Sequence, residues 1–125
     1  MVVAPVVYIV DDDEAVRDSF AALLDASGME TRCFGSAEEY LAARRGCNGG
    51  FLLLDVNLPG MGGLDMLEQL RAEGDNLPAV VVTARRSRQV DERARRAGAL
   101  AVFDKPVDWQ ALLTRIEEAV ELPSA

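Results

Sequence analysis

Three stretches of this chain are apolar without interruption: Val6 to Val10, Phe51 to Leu54 and Ala79 to Val82. A strand with one wet face alternates apolar and polar residues, so continuous runs of this kind fit strands covered on both faces, as in a parallel sheet sandwiched by helices. The intervening segments have the helical period instead. Val16, Phe20, Leu23 and Leu24 are spaced for one helix, with Ser27-Gly28 as its stop. Thr31 to Phe34 predict a short second strand, and Ser36-Ala37-Glu38-Glu39 is a capping box opening a helix with Tyr40 and Leu41 inward. Asn48-Gly49-Gly50 then breaks the chain. Leu64, Leu67 and Leu70 begin a third helix after the loop Pro59-Gly60-Met61-Gly62-Gly63. An Arg-rich helix stops at Ala97-Gly98, Leu100 to Phe103 form the fifth strand, and Trp109, Leu112, Leu113, Ile116 and Val120 give a last helix capped by Asp108. Five strand–helix units in 125 residues predict one α/β domain, a parallel sheet with right-handed crossovers and helices on both faces.

The chain contains no histidine, which excludes His-ligated metals, Ser-His-Asp and Cys-His nucleophiles and transfer through its own phosphohistidine. Cys33 and Cys47 form no CxxC and read as small buried or loop residues. A net charge of −8 disfavours general nucleic-acid or anionic-membrane binding. The charge is uneven: six arginines against two acids make the segment Arg85 to Arg96 +4, which leaves −12 on the rest. Lys105 is the single lysine beside twelve arginines, so that position wants a compact ammonium. The apolar start Val2 to Val10 lacks a basic leader, contains Pro5 and runs into three aspartates, so it does not read as a secretory signal. No stretch approaches the roughly 18 apolar residues of a membrane helix. The expected location is the cytoplasm.

In a doubly wound sheet, ligands sit at the carboxyl ends of the strands, where the strand order reverses. Those ends here are Asp11-Asp12-Asp13, Asp55, Thr83 and Lys105-Pro106. Singly each has a bland reading: a helix cap, a turn residue, a strand end, a solvated cation. Together, three or more converging carboxylates make a hard oxygen site suited to Mg²⁺, and Thr83 with Lys105 completes a cradle for a tetra-oxo anion. The chemistry that fits is phosphoryl transfer, which needs charge neutralisation and positioning more than a base.

The motifs Ile9-Val10-Asp11-Asp12-Asp13, Leu54-Asp55-Val56-Asn57-Leu58-Pro59-Gly60-Met61-Gly62-Gly63, Val82-Thr83-Ala84 and Lys105-Pro106 together resemble the receiver domain of two-component response regulators. Phe34-Gly35-Ser36-Ala37-Glu38-Glu39-Tyr40-Leu41 further looks like the nitrogen-fixation-regulator branch, whose receivers usually precede a DNA-binding domain. The resemblance implies a flavodoxin-like strand order 2-1-3-4-5 and a single receiver domain over residues 1–125, with no output domain in this chain. It implies that Asp55 accepts a phosphoryl group from a sensor histidine kinase, as part of a phosphorelay, and that the domain assists its own phosphorylation and dephosphorylation without being a turnover enzyme. Mg²⁺ would be held by Asp11, Asp12, Asp55 and the Asn57 backbone carbonyl. Thr83, the Ala84 N–H and Lys105 would bind the phosphoryl oxygens, and the Lys105-Pro106 bond would be cis.

Two departures from the family pattern stand out. The switch in receivers pairs the Thr83 position with an aromatic three residues before the lysine, and here that position is Val102; Phe103 cannot replace it because neighbouring strand residues face opposite ways. The segment Arg85 to Arg96 is unusually basic, and its apolar face is only Val90, Ala94 and Ala97, so the helix should be weakly held. Arg88, Arg93 and Arg96 are the candidate surface for an output domain or effector protein; a phosphorylation-dependent homodimer is a further expectation, and direct nucleic-acid or membrane binding is not. A receiver-like interaction module that works without phosphorylation is the alternative. An aspartyl-phosphate phosphatase fits less well, because a second acid two residues after Asp55 is replaced by Asn57, and a dinucleotide-binding fold would need a GxGxxG where three aspartates stand.

Overall fold

The computed structural model describes residues 5–44 and 49–119; Cys47, Asn48 and Val120 lie outside them. Ten elements alternate: β1 (Val6–Val10), α1 (Glu14–Ala26), β2 (Glu30–Phe34), α2 (Ala37–Ala43), β3 (Phe51–Asp55), α3 (Gly63–Ala72), β4 (Ala79–Thr83), α4 (Arg88–Arg96), β5 (Ala101–Asp104) and α5 (Trp109–Ala119). All strand pairs are parallel and the order is β2-β1-β3-β4-β5. The three apolar runs are the three central strands, as burial on both faces requires.

Strand alternation divides the core into two layers. Val7, Ile9, Phe51, Leu53, Val80 and Val82 pack against Phe20 and Leu24 of α1 and Leu112 and Ile116 of α5. Tyr8, Val10, Leu52, Leu54 and Val81 face the other way, onto Tyr40 of α2, Leu64, Leu67 and Leu70 of α3 and Ala94 of α4. Each fully buried large side chain contributes about 1.5–3 kcal/mol of transfer free energy, so these layers fix which strand ends meet at the carboxyl edge.

Four of the five helix starts are capped by side chains, the exception being α3, which begins after Gly62. Asp13 Oδ1 accepts from the Ala15 and Val16 N–H groups at 2.9 and 3.4 Å, Ser36 Oγ from Glu39 N–H at 3.1 Å, Ser87 Oγ from Val90 N–H at 3.1 Å and Asp108 Oδ1 from Ala111 N–H at 3.2 Å. Three expectations need correction. Leu23 is 42% exposed, because it lies about a hundred degrees around α1 from the buried Leu24. Leu100 precedes β5 and is 44% exposed. Cys33 is neither buried nor in a loop: it faces solvent on the edge strand β2, where partial burial nevertheless raises its thiol pKa.

Candidate functional site

The sheet order reverses between β1 and β3, whose register pairs Val10 with Leu54. The next residues, Asp11 and Asp55, therefore leave the sheet side by side. Both are buried, at 2% and 5% exposure, whereas Asp12 is exposed. Each of these three residues offers a carboxylate oxygen, and those oxygens lie within 4.8 Å of one another. Lys105 Nζ donates to Asp11 Oδ2 and to Asp55 Oδ2, each at 2.9 Å. The other oxygens are served by backbone two residues on: Asp13 N–H donates to Asp11 Oδ1 at 2.9 Å and Asn57 N–H to Asp55 Oδ1 at 3.0 Å. Asp13 itself caps α1, so the bland reading of the acid run accounts for that aspartate and leaves Asp11 and Asp12 to the pocket.

Burial, reinforced by the Asp11 charge, pushes the Asp55 carboxyl above the ordinary carboxylate range, against the opposing pull of Lys105 and the Asn57 N–H. Burial acts on Lys105 in the opposite sense, but its bonds to Asp55 and Asp11 outweigh it and the ammonium pKa is raised. Three carboxylates against one ammonium leave a formal charge of −2 on an all-oxygen donor set. That set fits a hard divalent cation, and the exposure of Asp12 leaves room for the ion's waters.

Thr83 is fully buried at the end of β4; its Oγ1 accepts from Arg85 N–H at 3.0 Å, and its carbonyl accepts from Lys105 N–H at 2.9 Å. Ala84 follows it in an exposed bend. The Lys105-Pro106 bond is cis. Val102 packs on the α4 side of β5, whereas Phe103 belongs to the α1/α5 layer, as strand alternation requires, so no aromatic of β5 faces α4. Arg88 and Arg96 are exposed. Arg93 instead reaches α3, where Nη2 meets Asp65 Oδ1 at 2.8 Å and Glu68 Oε1 at 2.6 Å, and these acids raise its pKa further.

Two residues that tie down the site's loops carry no signal in the sequence. Arg17 Nη1 donates to the Asp11 carbonyl at 2.7 Å, and Met61 N–H donates to Glu38 Oε2 at 2.9 Å. Beside the pocket, a groove of about 360 Å³ runs from Lys105 and Pro106 over α1, lined also by Val16, Phe20, Leu23 and Trp109.

A buried acid pair bridged by lysine, with Asp12 beside it, stands at the reversal point of a doubly wound five-stranded sheet, an acidic cluster that could hold a metal ion. The sequence model of the response regulator receiver domain matches residues 7–117, and the chain belongs to that family. It is 36% identical over 121 residues to the response regulator protein TodT of Pseudomonas putida, covering 95% of this chain and 52% of TodT. It is 32% identical over 114 residues to the transcriptional regulatory protein FixJ of Bradyrhizobium diazoefficiens, covering 91% of this chain and 56% of FixJ. Among solved structures, FixJ-N superposes with a TM-score of 0.86 at 32% identity over 99% of both chains. The response regulator StyR gives 0.88 at 39% identity, over 95% of this chain and 60% of the other. The chain spans about half the length of the curated relatives it matches. It is a receiver domain of two-component signalling.

Proposed function

We propose that this receiver is a Mg²⁺-dependent phosphoacceptor. In this reading Asp55 takes its phosphoryl group from the phosphohistidine of a cytoplasmic sensor kinase, and the domain is a self-assisting substrate rather than a turnover enzyme. The observation that carries it is the Asp55 carboxylate, buried, bonded to Lys105 at 2.9 Å and within 4.8 Å of oxygens from Asp11 and Asp12. An Asp55 oxygen attacks phosphorus in line; the new O–P bond forms as the P–N bond to the partner's imidazole breaks. The imidazole nitrogen keeps the electron pair and takes a proton from solvent. Lys105 exchanges its bond to Asp55 for one to a phosphoryl oxygen, and the Thr83 hydroxyl and Ala84 N–H donate to the others. Asp11, Asp12, Asp55 and the Asn57 carbonyl are the groups that would hold Mg²⁺, which when bound offsets the charge gathering at the pocket.

Phosphorylation replaces one carboxylate with a group of up to about two negative charges and three acceptor oxygens. Thr83 is drawn towards it, and Val102, smaller than an aromatic, leaves room for the shift. The movement reaches the surface formed by α4, β5 and α5, where the exposed Arg88 and Arg96 meet an output domain or effector, or a second receiver in a phosphorylation-dependent homodimer. The test is intact mass after acetyl phosphate and Mg²⁺: one phosphoryl group is expected on the wild type and none on Asp55→Asn or in chelator. Equal uptake by wild type and Asp55→Asn contradicts the assignment. No uptake by either favours the phosphorylation-independent interaction module, for which the missing aromatic at Val102 is the supporting observation.

A further inference from the structure

The loop between β3 and α3 carries Asn57, whose N–H holds Asp55, and it is tightly confined. Its neck is closed by the Gly63 N–H bonded to the Val56 carbonyl at 3.0 Å, and Leu58 is sunk into the core at 8% exposure. A Cβ on Gly63 would stand 2.0 Å from the Asp55 carbonyl oxygen, so the neck lies directly on the phosphoacceptor's own backbone. The tip is held from outside. Glu38 reaches across from the first turn of α2, and its Oε2 accepts the Met61 N–H at 2.9 Å. The same oxygen would meet a Cβ on Gly60 at 2.6 Å, and Gly60 has φ +74°; the chain passes over the carboxylate where only glycine fits. Glu39, next in sequence, is occupied otherwise, accepting the Ser36 hydroxyl at 3.3 Å in the helix cap, so the two adjacent acids have separate duties.

We propose that Glu38 is a positioning residue for the acid pocket: by accepting the Met61 N–H it fixes the tip of the 56–63 loop and thereby the Asn57 backbone that bonds to Asp55 and faces the cation. Only three residues, Leu58, Pro59 and Gly60, lie between Asn57 and Met61 in a loop whose neck is closed, so a displaced tip acts on Asn57 through this short span. The charged form of Glu38 is the better acceptor, and the Met61 N–H is the main cause of its lowered pKa. The part of this inference that concerns Mg²⁺ rests on the phosphoacceptor reading; the part that concerns the loop does not.

The experiment compares wild type, Glu38→Ala and Glu38→Gln in the 125-residue chain. In chelator, amide hydrogen exchange at Asn57 and Met61 is followed by NMR against the core amides of β1 and β3. Glu38→Ala is expected to speed both loop amides about tenfold without changing the core amides, and calorimetric titration should show Mg²⁺ affinity falling about tenfold, the low end for a residue that orients a ligand. Glu38→Gln keeps an oxygen acceptor and should recover most of both. Unchanged Asn57 exchange in Glu38→Ala overturns the proposal. A Glu38→Gln variant as defective as Glu38→Ala overturns it too, by making charge rather than the loop bond responsible. If wild type binds no Mg²⁺, the phosphoacceptor reading fails by itself, and the exchange data still decide the role of Glu38.

Discussion

Asp55 is held in its pocket by two donors and is nevertheless harder to ionise than a free carboxyl, because burial and the neighbouring Asp11 outweigh Lys105 and the Asn57 N–H. A carboxyl whose folded pKa lies above its unfolded value binds its proton more tightly in the folded chain, so stability falls as pH rises through and above the ordinary range near about 4. At neutral pH the ionised Asp55 therefore weakens the fold. Asp55→Asn removes that charge and keeps an acceptor for Lys105, so its melting temperature should exceed wild type at pH near 7. The difference should shrink as pH falls through the carboxylate range and wild type protonates. Thermal melts across that range check it, and a variant no more stable than wild type at neutral pH would contradict the raised pKa. The residues of the pocket were legible in the sequence because parallel strands deliver their last residues to one edge, so Asp11, Asp55, Thr83 and Lys105 could be placed from strand ends alone. Arg17 and Glu38 were not. They act on backbone carbonyl and N–H groups of loops, near in sequence for Arg17 and far for Glu38, and nothing in a side chain's identity tells which backbone group it will meet.

At the scale of elements, α4 combines a small apolar face with an ionic tie to its neighbour. Val90, Ala94 and Ala97 do form its inner face, as spacing indicates, and two of these three are alanines. Polar ties to α3 add to this small apolar face: Arg93 bonds to Asp65 and Glu68 of α3, and Arg71 Nε of α3 donates to the Ala97 carbonyl at the α4 C-terminus at 2.7 Å. The partners of Arg93 stand 25 and 28 residues away, beyond the reach of helix-period arguments. Arg93 thereby ties α4 to the helix that follows the Asp55 loop, while Arg88 and Arg96 are fully outward cations. Because the pair is largely exposed, its coupling should be modest. A double-mutant cycle with Arg93→Gln and Glu68→Gln is expected to give about 0.5–1 kcal/mol at low salt, falling at high salt. Chemical-denaturation curves check this, and strictly additive losses would reduce the tie to two independently solvated side chains.

Viewed whole, the molecule gives Asp55 two kinds of approach. On the phosphoacceptor reading, a small phosphodonor would enter at the pocket mouth, where Asp12 is exposed. A protein donor would need a seat as well, and the groove from Lys105 over α1 offers apolar surface for one. Leu23 lies on this groove at 42% exposure. Being half in water, it adds little to the fold, and an exposed substitution of this kind usually changes stability by no more than about 0.5 kcal/mol. A guanidinium there would, on the other hand, have to be desolvated under any partner helix covering Phe20 and Trp109. Leu23→Arg is therefore expected to keep its melting temperature and its rate of phosphorylation by acetyl phosphate, while transfer from the phosphorylated sensor kinase slows about tenfold, equivalent to about 1.4 kcal/mol of lost docking. Parallel time courses with the two donors separate the effects. Equal slowing with both would locate the damage in the pocket rather than at the seat, and undiminished transfer from the kinase would mean that the protein donor approaches Asp55 across another face, of which the arginine-bearing α4 surface is the next to test.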